Sequence, residues 1–182
     1  MIEIIQGDVL SSDADAVILA IDGAKRGMEG NIARAYARRW PDAWMEIEDE
    51  IRYPIRLGRT VAIHPENESG FPLVLIASTL NHVDTLDEQR KAAIVRSALS
   101  EAIQLAIRHR VRQLATAPMT GGWRLELEPA LAAMMSVLKP IGVAHHTLTV
   151  VLHLLSQEHT SLATEIAVRH GIDLPTGGRL SL

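Results

Sequence analysis

From residue 14 the chain reads Ala14-Asp15-Ala16-Val17-Ile18-Leu19-Ala20-Ile21-Asp22-Gly23-Ala24-Lys25-Arg26-Gly27-Met28-Glu29-Gly30-Asn31-Ile32. The apolar run Ala16–Ile21 shows no polar alternation, as expected of a strand covered on both faces. It is far shorter than the roughly 20 residues a membrane helix needs. A loop carrying Gly23, Gly27 and Gly30 follows, and then a helix is predicted from about Ala33 to Arg39, stopping before Pro41. Strand, glycine loop and helix in that order form the repeating unit of α/β domains, whose ligands sit in loops after the strands.

The same alternation extends in both directions. Further strands are expected at Glu3–Ile5, Thr60–Ile63, Leu73–Ala77, Gln113–Thr116 and His146–Leu152. Asp87–Arg110 reads as the strongest helix, with Thr85 and Glu88 at capping-box spacing and Ile94, Ala98, Ala102, Leu105 and Ala106 on one face. Two more helices are expected from about Glu126 to Leu138, ending before Pro140, and from about Gln157 to His170, capped by Gly171. No repeat or linker interrupts the pattern. One α/β domain over residues 1–174 is therefore expected, with 175–182 as a loose tail.

Composition narrows the function. A chain of 182 residues is large enough to bury a core without staples. The absence of cysteine excludes disulfides, zinc–thiolate sites and thiol nucleophiles, and permits a cytoplasmic location. The start Met1-Ile2-Glu3 lacks the basic and apolar regions of a secretory signal, and no membrane association is expected. Eighteen basic against 22 acidic residues argues against a general nucleic-acid-backbone binder. Six aromatics in all are too few for base-stacking platforms.

Two loops could hold an oxyanion. The first is Asp22–Ile32, where glycines permit close backbone approach and a helix start offers unpaired N–H groups. The second is Pro118-Met119-Thr120-Gly121-Gly122-Trp123, directly after the strand ending at Thr116. Taken singly, each also reads as a plain turn. On neighbouring strands they would hold a diphosphate from two sides.

With these loops in view, the sequence resembles the macro domain family of ADP-ribose-binding modules and ADP-ribosyl hydrolases. Gly7-Asp8-Val9 after the opening strand is similar to the family's Gly-Asp-Ile/Val. Ala14–Asp22 stands where the family has Asp-Ala-Ile-Val-Asn-Ala-Ala-Asn, and Gly27–Ile32 resembles its Gly-Val-x-Gly-x-Ile loop. Tyr36–Pro41, Leu57-Gly58 with Thr60–Ala62, Leu73–Ser78 and Ala117–Trp123 continue the likeness in order, which spans about residues 1–152. The resemblance implies a three-layer α/β/α fold, a mixed sheet with helices on both faces. It also implies ADP-ribose or a related adenine nucleotide as ligand, and leaves open ADP-ribosylated proteins as partners and hydrolysis of ADP-ribose esters. By the same resemblance Asp8 accepts the adenine amino group beside the N–H of Val9. Gly27, Met28, Gly30, Asn31 and Ile32 would face Thr120, Gly121, Gly122 and Trp123 across the diphosphate, and Asp22 would lie near the distal ribose. A turn or cap role for Asp8 is the competing reading.

The departures fall on the catalytic positions. The family's two motif asparagines are Leu19 and Asp22 here, and Glu29 adds another carboxylate. At about 5 Å and an effective dielectric of 20, each unit repulsion against a bound dianion is roughly 3 kcal/mol. Lys25 or Arg26 turned toward the site would offset it, or Asp22 would serve as a general base. Ser78-Thr79-Leu80 follows the middle strand where one branch of the family has a covalent lysine. Two alternatives therefore accompany the first reading. One is a macro fold without its pocket, acting as an interaction or oligomerisation module; the other is a hydrolase of a different substrate using Asp22 or Glu29.

The eight histidines, among them His145, His146, His153 and His159, follow no metal-ligand spacing, and neither metal nor cofactor is expected. Arg34, Arg38 and Arg39 read as a solvated helix face, with an anion contact as the alternative.

Overall fold

The six expected strands all lie in one sheet. The computed structural model describes residues 1–27, 29–80, 85–122, 124–144 and 147–175. Its elements are β1 (Ile2–Gln6), a 3₁₀ turn (Val9–Ser11), β2 (Ala16–Ile21), α1 (Asn31–Arg39), α2 (Pro41–Glu50), β3 (Thr60–Ile63) and β4 (Leu73–Ser78). They continue with α3 (Glu88–Arg108), β5 (Gln113–Thr116), α4 (Leu127–Ala144), β6 (Thr149–Leu154) and α5 (Gln157–Arg169). The strand order is β1-β6-β5-β2-β4-β3. All neighbours run parallel except β3, which lies antiparallel on β4 with Thr60 opposite Ala77.

Strand parity explains why the runs are apolar throughout. Ala16 and Ile18 of β2, with Leu73, Leu75 and Ala77 of β4, point into one core with Val95, Ala98, Leu99 and Ala102 of α3 and side chains from α4 and α5. Val17, Leu19 and Ile21, with Val74 and Ile76, point the opposite way into a core with Ala33 and Tyr36 of α1 and Ala43, Trp44 and Ile47 of α2. Helices thus cover both faces of a mixed sheet, and the three-layer α/β/α expectation holds. The aromatics are unevenly shared: Tyr36, Trp44 and Phe71 are buried on the α1/α2 side, with Trp40 and Tyr53 packed against them.

Several boundaries differ from the sequence reading. Pro41 ends α1 but also opens a second helix, α2, in which it occupies the first turn, where its missing N–H costs nothing. Pro140 lies inside α4, which continues to Ala144. The buried run Ala130, Leu131, Met134, Met135 and Leu138 holds that helix against the local cost of about 3 kcal/mol for an internal proline. The cap of α3 is Asp87, whose carboxylate accepts from Arg90 N–H at 2.8 Å. It displaces Thr85 because aspartate there reaches the first-turn donors directly. Strand β6 begins at Thr149 rather than His146, and His146 lies outside the described residues, as do 176–182 of the expected tail. Gly171 ends α5 with φ of 67°, as expected of a left-handed cap.

Candidate functional site

Five parallel strands end on the same side of the sheet, the end at which open α/β sheets place their ligand crevice. Because β2 and β5 are neighbours, the loops after Ile21 and after Thr116 stand side by side. The second reaches across β2: a Cβ on Gly121 would lie 2.5 Å from the Cβ of Leu80, the second residue after β4. Thr79 N–H donates to Ile21 C=O at 3.1 Å, drawing the ends of β2 and β4 together.

The first loop is fastened along its length. Asp22 is 7% exposed, and its Oδ1 accepts from Ala24 N–H at 3.0 Å, a side-chain turn that orders the loop entry. Glu29 bridges back to Ile21, and its carbonyl takes Arg34 Nη2 at 3.3 Å. Gly30 is dictated by space, since a Cβ there would stand 2.5 Å from the carbonyl oxygen of Ala20. Arg26, a candidate to offset the charge of Asp22, instead points to α2, with Nε on Glu48 and Nη2 on Asp49, each at 2.9 Å. Two carboxylates there outcompete one. The same acidic surroundings act on Tyr53, whose phenol is pushed up to about 12 by burial and by Glu48 and Glu29.

The second loop is held by cations that the sequence reading missed. Arg124 Nη1 donates to Gly121 C=O at 2.6 Å, and Lys91 Nζ of α3 donates to Arg124 C=O at 2.6 Å. Thr120 C=O accepts from Leu125 N–H at 3.1 Å. Gly121 and Gly122 both adopt left-handed backbone, with φ of 61° and 64°. Arg124 follows the quoted loop directly and could have been read from it. The meeting of Lys91 with residue 124, by contrast, depends on how α3 packs.

At the third corner, Asp8 caps the 3₁₀ turn, its Oδ1 accepting from Leu10 N–H at 3.0 Å, so the cap role weighed for it is real. Val9 follows it, buried. Arg39 Nη1 reaches across from α1 to Leu10 C=O at 2.8 Å, and its guanidinium lies 4.6 Å from the Trp40 ring. Arg39 and Arg34 thus brace loops rather than only facing solvent. Of the expected site residues, the described ones, Asp8, Val9, Asp22, Gly27, Gly30, Asn31, Ile32, Thr120, Gly121 and Gly122, all lie after the strand ends or at the α1 start. Met28 and Trp123 lie outside the described residues.

No family model and no curated protein matches the sequence. Solved structures do. An Oceanobacillus iheyensis macrodomain with ADP superimposes with a TM-score of 0.79 at 13% identity, over 93% of this chain and 90% of that one. The chain has a macrodomain fold. The macrodomain of Mycobacterium tuberculosis DarG is similar over 86% of this chain and 99% of its own, with a TM-score of 0.68 and 19% identity. A Trypanosoma brucei macrodomain in complex with ADP gives a TM-score of 0.72 at 15% identity, over 91% and 68% of the two chains. A macrodomain fold accounts for the mixed sheet and for the crevice at its strand ends. At the opposite end, an open depression of about 370 Å³ is lined by Glu3, Asp15, Arg112, Gln113 and Thr149. One of its two acids is engaged, because Asp15 Oδ2 accepts from Arg112 and Gln113 N–H at 2.9 Å each.

Among the described residues no three His, Asp or Glu side chains converge as a metal site, and no helix is long and apolar enough to cross a membrane.

Proposed function

We propose that residues 1–174 act as one macrodomain unit that binds ADP-ribose or a related adenine nucleotide in the crevice. The observation that carries this reading is the direction of the second loop's peptides. In a trans peptide the C=O and the next residue's N–H point opposite ways. Thr120 and Gly121 carbonyls are turned onto Leu125 and Arg124, so the N–H groups of Gly121 and Gly122 are aimed away from those donors. Successive N–H groups of this kind make a cradle for phosphate oxygens. The loop Gly27–Ile32 supplies the facing wall, Asp8 and Val9 the adenine contacts, and Asp22 a ribose contact. Macrodomains of the same fold that hold ADP support the ligand class. Lys91 and Arg124 bring positive charge to this second loop.

Calorimetric titration with ADP-ribose, ATP and AMP tests this. ADP-ribose is expected to bind more tightly than AMP, since AMP spans only one phosphate position. Absence of heat and of any thermal shift at millimolar ligand contradicts the reading and favours an interaction module. Asp22→Ala is expected to weaken binding or change its preference between ADP-ribose and ADP; unchanged affinity for both removes Asp22 from the site. Turnover of O-acetyl-ADP-ribose or an ADP-ribosylated protein, lost in Asp22→Ala, assigns a hydrolase with Asp22 as base.

A further inference from the structure

His153 is a buried imidazole whose ring nitrogens make no hydrogen bond. It sits on β6 beside Ile5 of β1, and Gly7 N–H continues that pairing onto Leu154 C=O at 2.8 Å. Its neighbours Val150, Leu152 and Leu154 point into the α3–α5 core, so His153 takes the opposite face, at the place where the chain turns into Asp8. A Cβ on Gly7 would lie 3.9 Å from His153 Nδ1. The residue is 5% exposed, and both Nδ1 and Nε2 lack partners. A neutral imidazole always carries one donor and one acceptor, and cores rarely leave both unmet.

We propose that His153 is a proton-sensitive positioning residue for Asp8, and that only its neutral form leaves Asp8 available to the adenine end of the ligand. The proposal rests on the reading that Asp8 accepts the adenine amino group. One carboxylate oxygen of Asp8 is held by Leu10 N–H, which leaves the other for the amino group. A proton on His153 places a buried positive charge beside the Gly7–Asp8 turn that carries this carboxylate. The charge-assisted pair draws the second oxygen inward, and the amino group loses its acceptor. Proton and nucleotide then compete for one carboxylate, without contact between His153 and the ligand.

The surrounding charges are consistent with this. Burial disfavours the imidazolium and Asp8 favours it; burial dominates, so His153 titrates below its ordinary 6.5. The charged groups of the adjoining segments are Glu3, two residues before Ile5 on β1, exposed Asp13 after the turn, and Arg39, which is engaged with Leu10 C=O. β5 presents Ala115 there. A folded-state value below the unfolded one also makes the fold itself weaken as pH falls from about 6.5 through the folded value.

The test is the affinity for ADP-ribose at about pH 8 and at about pH 5.5, with melting curves at each pH to keep unfolding apart from ligand loss. Wild type is expected to lose affinity by about tenfold for each unit below the His153 titration point, with one proton released on binding. In His153→Gln and His153→Leu the ratio of the two dissociation constants collapses toward one. Proton NMR of the wild-type imidazole adds an independent readout: Asp8→Asn should lower the His153 titration point, and saturating ADP-ribose should lower it too. Binding whose pH dependence is the same in wild type and both variants overturns the proposal while leaving the nucleotide reading intact. Absence of binding at every pH overturns that reading, and the proposal with it.

Discussion

The two loops that flank β2 solve the same backbone problem by opposite means. The loop after β2 is held by carboxylates and by contact: the Asp22 carboxylate fixes its entry, the Glu29 backbone pairs with Ile21 at its exit, Arg26 ties it to Glu48 and Asp49, and Gly30 lies against the backbone of Ala20. The loop after β5 is held by cations on its carbonyls, Arg124 on Gly121 and Lys91 on Arg124, with two glycines in left-handed backbone. One side of the crevice is therefore acidic and tightly packed, and the other is basic. A ligand with a ribose hydroxyl at one end of an anionic bridge suits that polarity. The net charge of −4 does not reveal it, because it averages over both walls.

Substitutions separate the two mechanisms. The largest effect is expected from Gly30→Ala, because its Cβ would stand 2.5 Å from the Ala20 carbonyl oxygen and backbone cannot swing aside. Overpacking of this kind costs about 1–3 kcal/mol, and the upper part of that range is expected in a chemical-denaturation midpoint. Gly121→Ala should follow. It strains a residue at φ of 61° and presses on the Leu80 side chain, which has some freedom to rotate. About 1–3 kcal/mol of backbone strain is expected, together with a loss of nucleotide affinity larger than the loss of stability implies. Arg124→Ala is the mildest, removing one charge-assisted bond to a half-buried carbonyl, worth about 1 kcal/mol after allowing for solvent. Its affinity loss should shrink with added salt, whereas that of Gly121→Ala should not. If Arg124→Ala destabilises the fold more than Gly30→Ala, the division into a packed wall and a charged wall is wrong.

How much of this was readable beforehand follows from physical range. The central strands β2 and β4 declared themselves through the apolar runs Ala16–Ile21 and Leu73–Ala77, because parity sends alternate residues into two cores and each run must be apolar on both sides. Gly30 and Gly121 were visible as glycines, yet only packing distinguishes a glycine required by the Ala20 carbonyl from one required by a left-handed turn. The direction of Arg26 was not legible because its partners, Glu48 and Asp49, sit on α2, a helix hidden behind Pro41. Lys91 and His153 were beyond reach for a similar reason. Each acts on a residue far away in sequence, at position 124 or 8, and such meetings are set by the order of strands rather than by any local pattern.

The central claim is that the crevice between these loops is where an adenine diphosphate nucleotide binds. A crystal structure of the protein soaked with ADP-ribose tests it most directly. The account predicts density with adenine at Asp8 and Val9, the diphosphate between Gly27–Asn31 and the N–H groups of Gly121 and Gly122, and the distal ribose toward Asp22. Density confined to the depression lined by Glu3, Asp15 and Arg112, or an empty crevice at saturating ligand, would contradict it.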